Sequence, residues 1–151
     1  MVSHKGCFGV EFGGELAAVC GAVEGLEQRR DFESVVEGGR AAPRILPGPV
    51  IQPALVLLEL REVSLDLLEW VERSFSSGLP ERRSGALLLF DDEGSPRLRW
   101  DFSAALCARW TAPSAPAGAA GVVFGSLVLA HEGLTLAVAD VAPARSIDPR
   151  A

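Results

Sequence analysis

The stretch Leu127–Leu136, LVLAHEGLTL, decides the reading of this chain. An apolar run reaches Ala130, a charged segment with Gly133 interrupts it, and apolar alternation restarts at Leu134 and Leu136. The pattern predicts two strands, Val122–His131 and Leu134–Val138, paired as a hairpin across Glu132–Gly133. Upstream, Leu87–Phe102 reads LLLFDDEGSPRLRWDF and repeats the same grammar. Ala86–Phe90 is an apolar strand, and Asp92 and Gly94 supply turn residues. Leu98, Trp100 and Phe102 then alternate with Arg97, Arg99 and Asp101. Leu106–Trp110 continues extended.

The N-terminal third follows suit. Phe8, Val10 and Phe12 have the period of a half-buried strand, Gly13–Gly14 makes a two-residue turn, and Leu16–Val19 is the return strand. Val23–Val36 reads as extended, with weak alternation through Leu26, Gln28, Arg30 and Phe32. Glu37–Pro53 is dense in Gly and Pro and is predicted to be a loop that cannot continue a sheet. A loop of that length inside a domain is often functional. Ala54–Arg61 reads as a buried strand. The helix is Leu65–Ser77, with Ser64 as N-cap, Asp66 in the first turn and Gly78 at the C-cap. Its apolar stripe is Leu68, Val71 and Phe75, widened by Leu67 and Trp70. Thr111–Gly118 is a second Pro/Ala/Gly loop. The fold class is therefore mainly β: an antiparallel barrel or sandwich of about eight strands with one helix at a side or end. Residues 1–143 form one domain and 144–151 a poorly ordered tail.

Composition narrows the function. The chain has 151 residues, 48% of them hydrophobic, so either the core is generous or apolar surface meets partners. No run is long enough to span a bilayer, and no secretory signal is evident, which predicts synthesis and folding in the cytoplasm. A net charge of −6 argues against a nucleic-acid binder. Arg29–Arg30 and Arg82–Arg83 are the basic doublets, read as solvated faces or intersubunit ion pairs. Cys7, Cys20 and Cys107 lack metal or redox spacing and read as reduced, mostly buried thiols.

Catalytic chemistry finds little support. His4 lies near the N-terminus, in a segment expected to fray. His131 could be paired with Ser126 or Cys107 on paper, but no GxSxG elbow exists, and a turn histidine bonded locally is the better reading. Asp91, Asp92 and Glu93 lack the alternating ligand order of a calcium loop. No acid interrupts an apolar run in a way that would create an acid/base pair. The glycine pairs do not make a nucleotide cradle. Trp70, Trp100 and Trp110 could line a ligand pocket or fill a core. The chain is read as having no enzymatic activity and no cofactor or metal.

The order of short motifs resembles the tail tube proteins of contractile phage tails and phage-tail-like injection systems. FGVEF at Phe8–Phe12, EGL at Glu24–Leu26, VEGG at Val36–Gly39 and LPGP at Leu46–Pro49 come first. LELREVS at Leu58–Ser64, LLEW at Leu67–Trp70, DDEG at Asp91–Gly94, RWDF at Arg99–Phe102, RWTAP at Arg109–Pro113 and LAHEGL at Leu129–Leu134 follow. Glu62 stands where that family's pattern has Gly, Ser64 where it has Thr, and Val36 where an Arg is common.

The resemblance implies a β-barrel subunit forming hexameric rings that stack into a tube inside a contractile sheath, with effector cargo or DNA in the lumen. The related type VI secretion tube protein shares the barrel. Implied partners are further copies of the chain, sheath and baseplate proteins, without membrane insertion by this chain. The particle would assemble in the cytoplasm and be released or fired outward. An extended arm must reach the next ring, and its predicted residues are Glu37, Gly38, Gly39, Arg40, Ile45, Leu46, Pro47, Gly48, Pro49 and Val50. Two alternatives stay open: a tube-initiating ring at the baseplate, and a small barrel binding an apolar ligand.

Overall fold

Alternating apolar residues at Phe8, Val10 and Phe12 build strand β1 (Phe8–Phe12), which turns at Gly13–Gly14 into β2 (Glu15–Glu24). The computed structural model describes residues 7–114 and 121–137. Among these residues the chain continues through β3 (Arg29–Val35), β4 (Arg44–Ile51), β5 (Leu55–Arg61), helix α1 (Leu65–Ser76), β6 (Arg83–Phe90), β7 (Pro96–Thr111), β8 (Val122–Ala130) and β9 (Gly133–Ala137). The tail at 144–151, His4 and the second half of the Thr111–Gly118 loop, residues 115–118, lie outside the described residues.

The pairings close on themselves. The order β6-β1-β2-β5-β8-β7 returns to β6 through a β6–β7 ladder, so the main sheet is an antiparallel barrel. Closure removes most free edges. Val10, Leu55, Leu57, Leu87, Leu127 and Leu129 fill it and are fully buried.

Several sequence expectations fail here for identifiable reasons. The first is the C-terminal hairpin. β9 does not pair with β8; both pair with β7, β8 from Leu106↔Ala130 onward and β9 from Ser103↔Gly133 back to Arg99↔Ala137. They are one line of chain with a break at His131–Glu132, and β7 is long enough to template both halves. The turn-like HEG segment is a break in a strand, bridged by Glu132 N–H donating to Ser103 O at 2.9 Å.

The second is the loop at Glu37–Pro53. Arg44–Ile51 within it is strand β4, paired only with β3. Proline is tolerated because this two-stranded ribbon has nothing but edges. The register slips between Arg30↔Val50 and Phe32↔Pro47, so Gly48 and Pro49 bulge opposite Asp31. Gly48 packs so closely that a Cβ there would lie 3.0 Å from Asp31 O. The predicted extended run from Val23 is also broken, between Glu24 and Arg29.

Helix α1 starts where expected, with Ser64 Oγ accepting from Leu67 N–H at 3.1 Å. Its C-cap is Ser77 in an extended conformation and not Gly78. The barrel-facing residues are Leu67, Trp70 and Val71, while Leu68 and Phe75 are exposed. Trp70 decides between these neighbouring stripes. It is fully buried against Phe12, with ring centroids 5.4 Å apart, and its Nε1–H donates to Glu81 O at 2.8 Å. No helix among the described residues is long and apolar enough to cross a membrane.

Chain direction gives the barrel two unlike ends. The helix joins the end of β5 to the start of β6, at the same end as the Gly13–Gly14 turn. The β3–β4 ribbon joins the end of β2 to the start of β5, at the opposite end.

Candidate functional site

The β3–β4 ribbon is an arm outside the barrel. Opposed residues of an antiparallel pair share a face. Phe32, Pro47, Ile45 and Val50 therefore lie on one face of the arm, with Arg30 and Ser34. Large apolar groups stand in water here: Phe32 is 66% exposed, Val36 at the tip 82%, and Ile45 57%. Leu46 and Val50 are exposed as well. All the predicted arm residues from Glu37 to Val50 fall on this ribbon or its tip turn. In that turn Arg40 N–H donates to Glu37 O at 3.2 Å, and the Glu37 carboxylate pairs with Arg44 at 3.3 Å. The sequence reading missed Phe32 and Val36. Period-two alternation placed Phe32 in a strand, but only the absence of any layer over that strand makes it a surface group.

The base of the arm is rigidly tied to the barrel. Gln52 Nε2 donates to Leu134 O at 2.9 Å, and Leu134 N–H donates to Gln52 Oε1 at 3.0 Å. Gln28, on the other leg, adds a bond to Leu134 O at 2.6 Å. His131 Nε2–H donates to Pro53 O at 2.9 Å. That corrects the reading of a locally bonded turn histidine: His131 also holds the arm base. Gly25, in the EGL motif, has φ +82° and presses on Ala54 O, so a side chain there would collide with the other leg.

The remaining titratable groups form structural contacts. Arg83 makes two bonds to Asp66, 2.7 and 3.2 Å, and one to Glu81 at 3.3 Å. Its guanidinium also lies 5.5 Å from the Trp70 ring. The Arg83 hydrogen bonds hold the Asp66 carboxyl below its ordinary range. Arg82 pairs with Glu132 at 3.0 Å. The Arg82–Arg83 doublet thus makes ion pairs within the chain: Arg82 lies on a solvated face, while Arg83 is mostly covered. An open hollow of about 290 Å³ beside α1 is lined by Phe12, Asp66, Glu81 and Arg83, whose charges are already engaged.

One buried acid escaped the sequence reading. Glu11 on β1 is 2% exposed and pairs with Arg99 at 3.0 Å; Arg99 also holds Asp101 at 3.0 Å. The period of two cannot show it, because both faces of β1 are covered. Ser126 Oγ is bonded to Thr111 Oγ1 at 2.7 Å. Cys107 is buried and its thiol is pushed up to about 11, so neither is an activated nucleophile for His131. Trp70 fills the core, Trp100 packs against it, and Trp110 is half-exposed on Phe124, so the three do not enclose a ligand space. Among the described residues no His/Cys/Asp/Glu cluster could hold a metal.

The chain is thus a barrel with a helix at one end and an exposed apolar arm at the other. Residues 5–135 match the family model of the T4-like virus tail tube protein gp19, and the chain belongs to that family. In structure it is similar to a chain of the PVC extracellular contractile injection system, sheath-tube complex in the extended state. The identity there is 19%, coverage 91% of both chains and TM-score 0.63. A chain of the anti-feeding prophage cap, which terminates the tube, gives 20% identity, 87% and 88% coverage and TM-score 0.63. A chain of the anti-feeding prophage baseplate, 6-fold symmetrised, gives 22%, 91% and 95%, and 0.60. No curated protein matches the chain in sequence.

Proposed function

We propose that this chain is a structural subunit of the inner tube of a contractile injection particle. Copies form hexameric rings, and rings stack around a lumen through which cargo passes. Sheath and baseplate proteins are the other partners, and the subunit itself performs no catalysis. The particle assembles in the cytoplasm and acts outside the cell that makes it. The observation that carries the reading is the arm: Phe32, Ile45 and Val50 are displayed on one side of a ribbon pinned at its base. A solitary protein gains nothing from such a surface, whereas burial in a partner returns roughly 1.5–3 kcal/mol per large apolar side chain.

Likeness to cap and baseplate chains as well as a tube chain keeps a second role in view, a terminating or initiating ring of the same particle. The ligand-binding barrel loses its basis, because side chains fill the interior. Purified wild-type protein, alone and with its sheath protein, is imaged by negative stain. Long tubes support the tube role, and isolated rings support the initiating or capping role. The double substitution Phe32→Asp and Ile45→Asp leaves the barrel folded and abolishes stacking. Normal tubes from that variant would remove the arm from the mechanism.

A further inference from the structure

The arm has a counterpart at the far end of the molecule. Helix α1 packs Leu67, Trp70 and Val71 inward and exposes Glu69, Glu72 and Arg73 on its outer side, yet one flank of that side is apolar. Leu65, Leu68 and Phe75 are exposed along it, and Leu79 is exposed just past its end. Within the helix Leu65, Leu68, Glu72 and Phe75 step three and four residues at a time, so they form one continuous stripe. Leu65 and Phe75 are 70% and 51% exposed.

We infer that this outer stripe of α1 is the receptor for the arm of another copy, lying against the face that carries Phe32, Ile45 and Val50. The inference rests on the tube reading above and names the surface that reading requires. Three features support it. Arm and stripe sit at opposite ends of the barrel, so the contact is heterologous and head-to-tail, the kind that propagates along a stack instead of closing on a pair. The arm's strands, seven and eight residues long, extend roughly 25 Å at about 3.3 Å per residue, enough to leave its own barrel behind. Charge also matches. Glu72 is set in the middle of the apolar stripe and Arg40 at the arm tip, and neither has an ion-pair partner among the described residues. Elsewhere on α1 the acids are paired, Asp66 with Arg83 and Glu69 with Arg73.

A charge-swap cycle tests this. Assembly is followed by sedimentation and negative stain for the wild type, Arg40→Glu, Glu72→Arg, and the double variant. Circular dichroism confirms folding, since both sites are exposed. Each single reversal raises the concentration needed for assembly by roughly fivefold at low salt, and the double variant restores it. Wild-type tubes whose assembly ignores both single changes, or a double variant no better than the singles, overturn the arm–helix contact and leave the tube reading standing. Wild-type protein that stays monomeric at every concentration and with its sheath protein refutes the tube reading itself.

Discussion

The side-chain amide of Gln52 pairs with both backbone groups of Leu134, accepting from its N–H at 3.0 Å and donating to its C=O at 2.9 Å. Leu134 lies opposite Phe102 on β7 and turns these groups to the other side. Gln52 thus acts as a one-residue strand on the open edge of β9. The same contact blocks that edge against stray pairing and sets the angle at which the arm leaves the barrel.

Gln52→Ala removes both bonds, with a local cost of about 1–2 kcal/mol. Hydrogen exchange should speed up at Leu134 and in β3–β4 while the barrel stays protected. Assembly should weaken although no interface residue has changed. Unaltered exchange in the arm would show that Gln52 does not hold it.

Glu62 has φ 52°, in the left-handed region, directly after β5. The tail-tube pattern that this segment resembles has Gly there, and the backbone shows why. Glu62→Gly relieves a strain of about 1 kcal/mol and should raise the melting temperature. Thermal unfolding measures it, and a lower melting temperature would mean that the Glu62 side chain contributes more than the strain costs.

The Glu11–Arg99 pair predicts an asymmetry. Arg99→Met strands a carboxylate that is 2% exposed and should cost about 3 kcal/mol. Glu11→Gln leaves Arg99 its bond to Asp101 and should cost less. Urea denaturation of both variants decides, and equal losses would contradict the argument.

Burial pushes the Cys20 thiol up to about 12, chiefly by desolvation. An acid whose folded pKa is raised stabilises the fold below its unfolded pKa and loses that contribution as pH rises. Stability should therefore fall from near pH 9 toward the raised value, by about 1.4 kcal/mol per pH unit for this group. Cys20→Ala should flatten that slope. An identical alkaline slope in the variant would assign the loss to other groups.

Legibility followed the range of the interactions. The Gly13–Gly14 turn, the Ser64 cap and the β6–β7 hairpin were readable because each is fixed by residues within a few positions. The arm's place was readable too, from its Pro and Gly content and from the tail-tube resemblance. Its strand character was not, because Pro47 and Pro49 argue against any strand that has neighbours on both sides. The partner of β9 was hidden for a different reason. Leu134 and Leu136 alternate as a hairpin strand would, and only the length of β7 and its two unlike edges assign them elsewhere. Gln28, Gln52 and His131 carry no local signal, since their partners lie 106, 82 and 78 residues away.

Cryo-electron microscopy of the wild-type chain, assembled with its sheath protein, shows where the arm lies in the particle. Stacked rings are expected, in which the β3–β4 ribbon of each subunit is buried against a subunit of the next ring, with Phe32 inside the contact. Rings or tubes in which every arm remains in solvent would contradict it, as would a protein that never leaves the monomeric state.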